Sequence, residues 1–214
     1  MPAEVHHSRS FQNQSVLSLL ETGVEVMKPD IGNKIQNRDQ ANDVFLTPPV
    51  LARQLIEKVP IFKGDVLCDA FAGLKGNQPF LENYPPGNPA YWMEIREGLD
   101  AFDSIDQWDW IITNPPFSEI NKVLEYSSWS CRKGFAYIMP NHGLNYRRIK
   151  FCEDRGFRII NLVSFPNPDN WKMGFSHLFV VWMKTEIRDR TGYQGTMQTI
   201  DSNNDLQMIL EDFK

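Results

Sequence analysis

Trp108-Asp-Trp-Ile-Ile-Thr113, running straight into Asn114-Pro115-Pro116-Phe117, is the stretch on which the fold reading turns. A short, nearly continuous apolar run closed by turn residues reads as a strand covered on both faces. The prolines then end it, because each fixes φ and lacks an N–H for the ladder. They also push Asn114 and Pro115 toward extended geometry. The Pro115 carbonyl therefore projects from a stiff loop beside the Asn114 side-chain oxygen. Two preset acceptors match an exocyclic amine, which carries two N–H donors, and Phe117 can stack on the flat ring bearing that amine. The same four residues also satisfy the simpler reading of a turn, since Asn-Pro is a strong loop signal.

Outward from this stretch, apolar runs recur at Val66–Cys68, Ala90–Met93, Gly134–Met139, Arg158–Ser164 and His177–Met183. Between them lie segments of helical spacing: Pro48–Lys58, with Thr47 as N-cap and Pro48 at the first helical position, a stretch from Ile120 through Val123 and Leu124, and Arg148–Arg155. Strands alternating with helices imply an α/β fold on a mostly parallel sheet, and the last two strands read as a C-terminal antiparallel hairpin. Three unusual clusters, Asp69–Gly76, Glu94 and Asn114–Phe117, fall at strand carboxyl ends, where ligands bind in such sheets.

The chain has 214 residues, 42% hydrophobic and 23% charged, so one full core is expected rather than disorder or two large domains. A net charge of −5 argues against a protein that coats nucleic acid through a general basic surface. Three scattered cysteines fit neither a disulfide framework nor a zinc site, and the four histidines lack ligand spacing, so no metal is expected. No secretory pattern or membrane-length run is visible, and a cytoplasmic setting is expected. The organisation read from the chain is a polar extension over 1–42, a catalytic domain over 43–185 and an acidic tail over 186–214 with an amphipathic stretch at Leu206–Phe213. Ser15–Leu20 could begin a short helix within the extension.

Asn114-Pro-Pro-Phe117 after a strand resembles the catalytic motif of S-adenosylmethionine-dependent amino-methyltransferases, above all the DNA N6-adenine methyltransferases. Val66-Leu-Cys-Asp69-Ala-Phe71-Ala-Gly73 resembles their glycine-bearing first-strand motif, and Asp43-Val-Phe45-Leu-Thr47-Pro48 the N-terminal motif that lies over the cofactor. The resemblance spans residues 43–183 and implies a Rossmann-like class I methyltransferase fold. It further implies that Phe45, Thr47, Pro48, Asp69, Phe71 and Gly73 bind S-adenosyl-L-methionine, and that Glu94 holds the ribose. Glu94 also follows Gly73 by 21 positions, near the spacing of about 20 expected of a ribose acid. Gly98-Leu-Asp100-Ala-Phe102-Asp103 resembles the element that contacts the cofactor's adenine, with Asp100 on the amine, Phe102 on the ring face and Asp103 as substitute. Asp100 follows Glu94 by only six positions, too few for a crossover helix, so the sheet is expected to lack an edge strand.

By the same resemblance Trp171 or Phe175 would oppose Phe117 across a flipped base, and Arg132, Lys133, Arg147, Arg148 and Lys150 could reach phosphates, although a solvated face suits most of them better. No Pro-Cys nucleophile is present, which disfavours covalent carbon-5 methylation of cytosine. The expected partners are nucleic acid, DNA first, and a protein that supplies target recognition. RNA amines, the glutamine side-chain amide and an inactive cofactor-binding partner subunit remain alternatives.

Overall fold

The computed structural model describes residues 45–169, 171 and 175–200. Asp43 and the stretches Ser15–Leu20 and Leu206–Phe213 lie outside the described residues.

Helix α1 (Pro49–Ile56) turns Ala52, Leu55 and Ile56 inward. It is followed by β1 (Leu67–Asp69), the single-turn α2 (Pro79–Glu82), β2 (Ala90–Trp92) and β3 (Trp108–Thr113). Next come α3 (Ile120–Ser130), β4 (Cys131–Pro140), α4 (Tyr146–Asp154), β5 (Phe157–Phe165) and β6 (His177–Lys184), then α5 (Thr185–Thr191) and β7 (Thr196–Thr199). The seven strands form one sheet in the order β2-β1-β3-β4-β6-β5-β7. Strands β1 to β4 pair in parallel, and β6 lies antiparallel between β4 and β5. The fold is therefore the expected mixed α/β sheet with its antiparallel hairpin.

Side-chain alternation along the central strands produces two cores. Trp110 and Ile112 of β3, with Ala136 and Ile138 of β4, pack with the α1 residues Ala52 and Leu55 on one face. Ile111, Phe135, Tyr137 and Met139 pack with Ile120, Val123 and Leu124 of α3 on the other. A strand buried on both sides cannot show polar alternation, which is why these segments read as continuous apolar runs. Gly134 is needed where the packing is tightest: a Cβ there would lie 2.1 Å from the Trp182 carbonyl oxygen and 2.5 Å from the Trp110 ring.

Between β2 and β3 the chain makes only two single turns, Ile95–Glu97 and Ala101–Asp103. Strand β2 is thus an edge, as the short Glu94–Asp100 spacing implies. The opposite edge differs from the sequence reading. Residues read as polar tail form α5 and β7, and β7 adds to β5 in parallel. Its attachment is polar: Asn161, at a register shift in β5, accepts hydrogen bonds from the backbone N–H and hydroxyl of Thr196, both 2.9 Å. Gly195 permits the approach, since a Cβ there would meet the Ile160 carbonyl oxygen at 2.0 Å. A strand docked by one asparagine and one glycine carries no hydrophobic period to read.

Candidate active site

The carboxyl ends of β1, β3 and β4 converge on one edge of the sheet. Asn114 leaves β3 there, and Pro116 leads into a single turn, Phe117–Glu119, closed by the Glu119 N–H on the Pro116 carbonyl at 3.1 Å. The Asn114 amide group donates to the Phe45 carbonyl at 2.7 Å and to the Thr47 hydroxyl at 3.2 Å. A carbonyl can only accept, so these contacts fix which end of the amide is nitrogen. The other end, Oδ1, is buried without a hydrogen-bond partner. Buried polar atoms in folded proteins are paired nine times in ten or better, so this acceptor calls for an explanation.

Thr47 corrects the sequence reading. Pro48, not Thr47, occupies the cap position of α1, no side chain caps the helix, and Pro49 takes the first helical place. The Thr47 side chain is buried and turned to Asn114 instead. The Phe45 ring stacks on Phe117 at 5.8 Å between centroids and 14° between planes. The segment 45–47 is held from behind by Trp171, whose indole N–H donates to the Leu46 carbonyl at 2.9 Å. Trp171 is itself buried, edge-on to Phe45, Phe165 and His177. Of the two aromatics expected to oppose Phe117, only Phe175 is exposed, and its ring lies 5.1 Å from those of both His142 and His177.

Around β1 the geometry fits a second ligand. Asp69 ends the strand fully buried, with Oδ1 unpartnered, and the Gln78 side-chain nitrogen is buried without a partner as well. Burial pushes the Asp69 carboxyl up to about 7, against a smaller pull downward from the nearby Thr113 hydroxyl and the Phe71 N–H. Gly73 takes φ +80° and points its N–H at Glu94 Oε2, 3.1 Å away. Glu94 Oε1 accepts from the backbone and Nε of Arg96 at 3.1 and 3.2 Å, so this carboxylate ties the β1 loop to the end of β2. Asp100 caps the next turn through the Phe102 N–H at 3.1 Å, and Phe102 packs 5.6 Å from Phe71. The unpartnered carboxylate oxygen suits the ammonium of an amino-acid group, and the two aromatic rings suit a flat base.

The structure disperses the basic residues. Arg132 pairs with Asp109 at 3.1 Å and Lys133 with Asp65, both at the amino-terminal edge of the sheet, away from Asn114. Arg148 braces the turn after β4 through Asn121 Oδ1 at 2.8 Å and the Gly143 carbonyl at 2.7 Å. Lys150 pairs with Asp154, and Arg147 is exposed. Sequence reasoning missed Gln78, Thr113, Asn167 and His177. Among the described residues no helix is long and apolar enough to cross a membrane.

No protein-family model matches the chain, and no curated protein does. Solved structures do. The methyltransferase subunit of a type I restriction-modification system from Streptococcus thermophilus superposes with a TM-score of 0.50 at 14% identity, over 79% of this chain and 53% of that one. TrmN from Thermus thermophilus aligns with a TM-score of 0.46 at 17% identity, over 69% of this chain and 52% of that one. The chain thus spans about half the length of either protein. At 14% identity the likeness to the Streptococcus thermophilus subunit is one of fold alone, a Rossmann-like mixed α/β sheet.

Proposed function

We propose that the chain is an S-adenosyl-L-methionine-dependent methyltransferase acting on an exocyclic amino group, with N6 of adenine in DNA as the first target. The observation that carries this reading is the bare Asn114 Oδ1, a buried acceptor locked in orientation by Phe45 and Thr47. Asn114 Oδ1 and the Pro115 carbonyl accept the two amine hydrogens and draw the nitrogen toward tetrahedral geometry, which frees its lone pair. Asp69, Thr113 and Gln78 hold the amino-acid end of the cofactor, Phe71, Gly73, Glu94, Asp100 and Phe102 its nucleoside end, and Phe45 to Pro48 cover it. The cofactor supplies a methyl group on a sulfonium, already a good leaving group, so the protein contributes position and electrostatics. Phe117 and Phe175 line the place of the target ring.

DNA and a recognition subunit are the proposed partners, which accords with the solved neighbour being the methyltransferase subunit of a restriction-modification system. One observation favours a second reading, an inactive partner subunit: both Glu94 oxygens are already engaged, by Gly73 and Arg96. Tritiated methyl transfer to unmethylated DNA, RNA and protein pools, with digestion to identify the product, separates the two. Label on adenine N6 in DNA, lost by about 100-fold in Asn114→Ala while the cofactor still binds, is the expected result. Cofactor binding without transfer to any pool would establish the second reading.

A further inference from the structure

His177 opens β6, opposite Pro140 at the end of β4 and Phe165 at the end of β5. It is wholly buried, and its ring lies 5.4 Å from that of Phe117, 4.9 Å from Trp171 and 5.1 Å from Phe175. Asn167 determines its tautomer. The Asn167 side-chain nitrogen donates to the Phe175 carbonyl at 2.8 Å, so its oxygen faces His177 Nδ1, 2.7 Å away. An oxygen acceptor there requires the proton on Nδ1. His177 Nε2 is then a bare lone pair, and it is buried without a partner.

We infer that His177 is the catalytic base of the amine site, its Nε2 taking the proton that the target amine sheds on methylation. The inference rests on the function proposed above. When the amine nitrogen bonds to the methyl carbon, the carbon–sulfur electron pair returns to sulfur and the nitrogen becomes cationic. One N–H pair must then collapse onto nitrogen and its proton must leave. Asn114 Oδ1 and the Pro115 carbonyl are amide oxygens, too weakly basic to keep a proton. Asp69 is taken up by the cofactor's ammonium in that reading. His177 lies against the motif phenylalanine, and the proton on its Nε2 makes an imidazolium that Asn167 stabilises from the other side. Burial, with the neighbouring His142, lowers its pKa to about 4 and keeps it neutral and receptive at pH 7. An aryl amine protonated on its exocyclic nitrogen is a stronger acid still.

Two substitutions divide the ring's functions. His177→Asn preserves a donor to Asn167 and deletes the Nε2 position, whereas His177→Gln places an amide near Nε2. The assay is single-turnover transfer from tritiated S-adenosylmethionine to unmethylated genomic DNA, with cofactor affinity and melting temperature measured on each protein. His177→Asn should lower the transfer rate by about 100-fold, with affinity for cofactor and DNA within about threefold, and His177→Gln should lose less. An active wild type with an equally active His177→Asn overturns the inference alone. Loss of transfer in step with melting temperature and cofactor affinity overturns it too, as the mark of a structural ring. A wild type that labels no DNA overturns the parent reading and this one with it.

Discussion

Replacing Asp69 by asparagine tests whether the β1 corner is built for a ligand at the expense of the fold. The carboxyl is fully buried with one oxygen unpartnered, and its pKa is raised from 3.8 to about 7. The sign follows from linkage. In the unfolded chain the group ionises near 3.8 and in the folded protein near 7, so between those values unfolding releases a proton. Stability is then lost as pH rises through this window and is constant above it. A shift of about 3 units corresponds to roughly 4 kcal/mol at 1.36 kcal/mol per unit. A carboxamide cannot ionise, so the stability difference between Asp69→Asn and wild type should grow by about 4 kcal/mol from pH 4 to pH 8. Urea unfolding of both proteins across that range measures it, and contributions from every other group cancel in the difference. A difference constant to within about 1 kcal/mol would refute the reasoning. The functional counterpart has the opposite sign. An ammonium beside Asp69 favours the ionised form, so below pH 7 S-adenosylmethionine binding should expel a proton from wild type and none from Asp69→Asn. Calorimetry in buffers of different ionisation enthalpy detects that proton.

Other substitutions probe the loop and the core. Glu94→Ala removes the acceptor of the Gly73 N–H and frees Arg96, so cofactor affinity should fall by about tenfold or more, read by calorimetry, with the fold intact. Gly134→Ala puts a Cβ 2.1 Å from the Trp182 backbone oxygen, and should cost about 3 kcal/mol or more in urea unfolding, because that neighbour is backbone and cannot rotate away.

Legibility in the sequence followed range. Strand β3 is found at its expected bounds, Trp108–Thr113, because burial on both faces and two following prolines are local signals. The Asn114–Phe117 loop is equally plain for the same reason. What sequence reading misplaces depends on partners far along the chain. Thr47 has the composition of a cap, but its hydroxyl is used by Asn114, 67 residues away. Trp171 has the composition of an open stacking platform, but its indole is bound to Leu46, 125 residues away. His177 stands at the head of an apolar run with no ligand spacing to the other histidines; only the Asn167 amide, 10 residues upstream, reveals a free lone pair. Strand β7 is invisible because one asparagine side chain recruits it.

Two carboxamides explain the chemistry this edge of the sheet can perform. Asn114 and Asn167 each donate their nitrogen into a backbone carbonyl, of Phe45 and Phe175 respectively, and each thereby commits its oxygen. The Asn114 oxygen is left as an acceptor outright, and the Asn167 oxygen turns His177 Nε2 into one. With Asp69 Oδ1, that places three buried atoms with free lone pairs at the ends of β1, β3 and β6. Each unpaired buried group costs about 1–3 kcal/mol, so these three acceptors store several kcal/mol that a ligand rich in N–H groups can recover. An anion finds no counterpart among these atoms, and a purely apolar ligand leaves them unpaired. A planar amine beside an ammonium-bearing cofactor satisfies them together. If the two ligands occupy adjoining places as proposed, they should bind more tightly together than singly, and the melting temperature should rise further with both present than the separate shifts add up to.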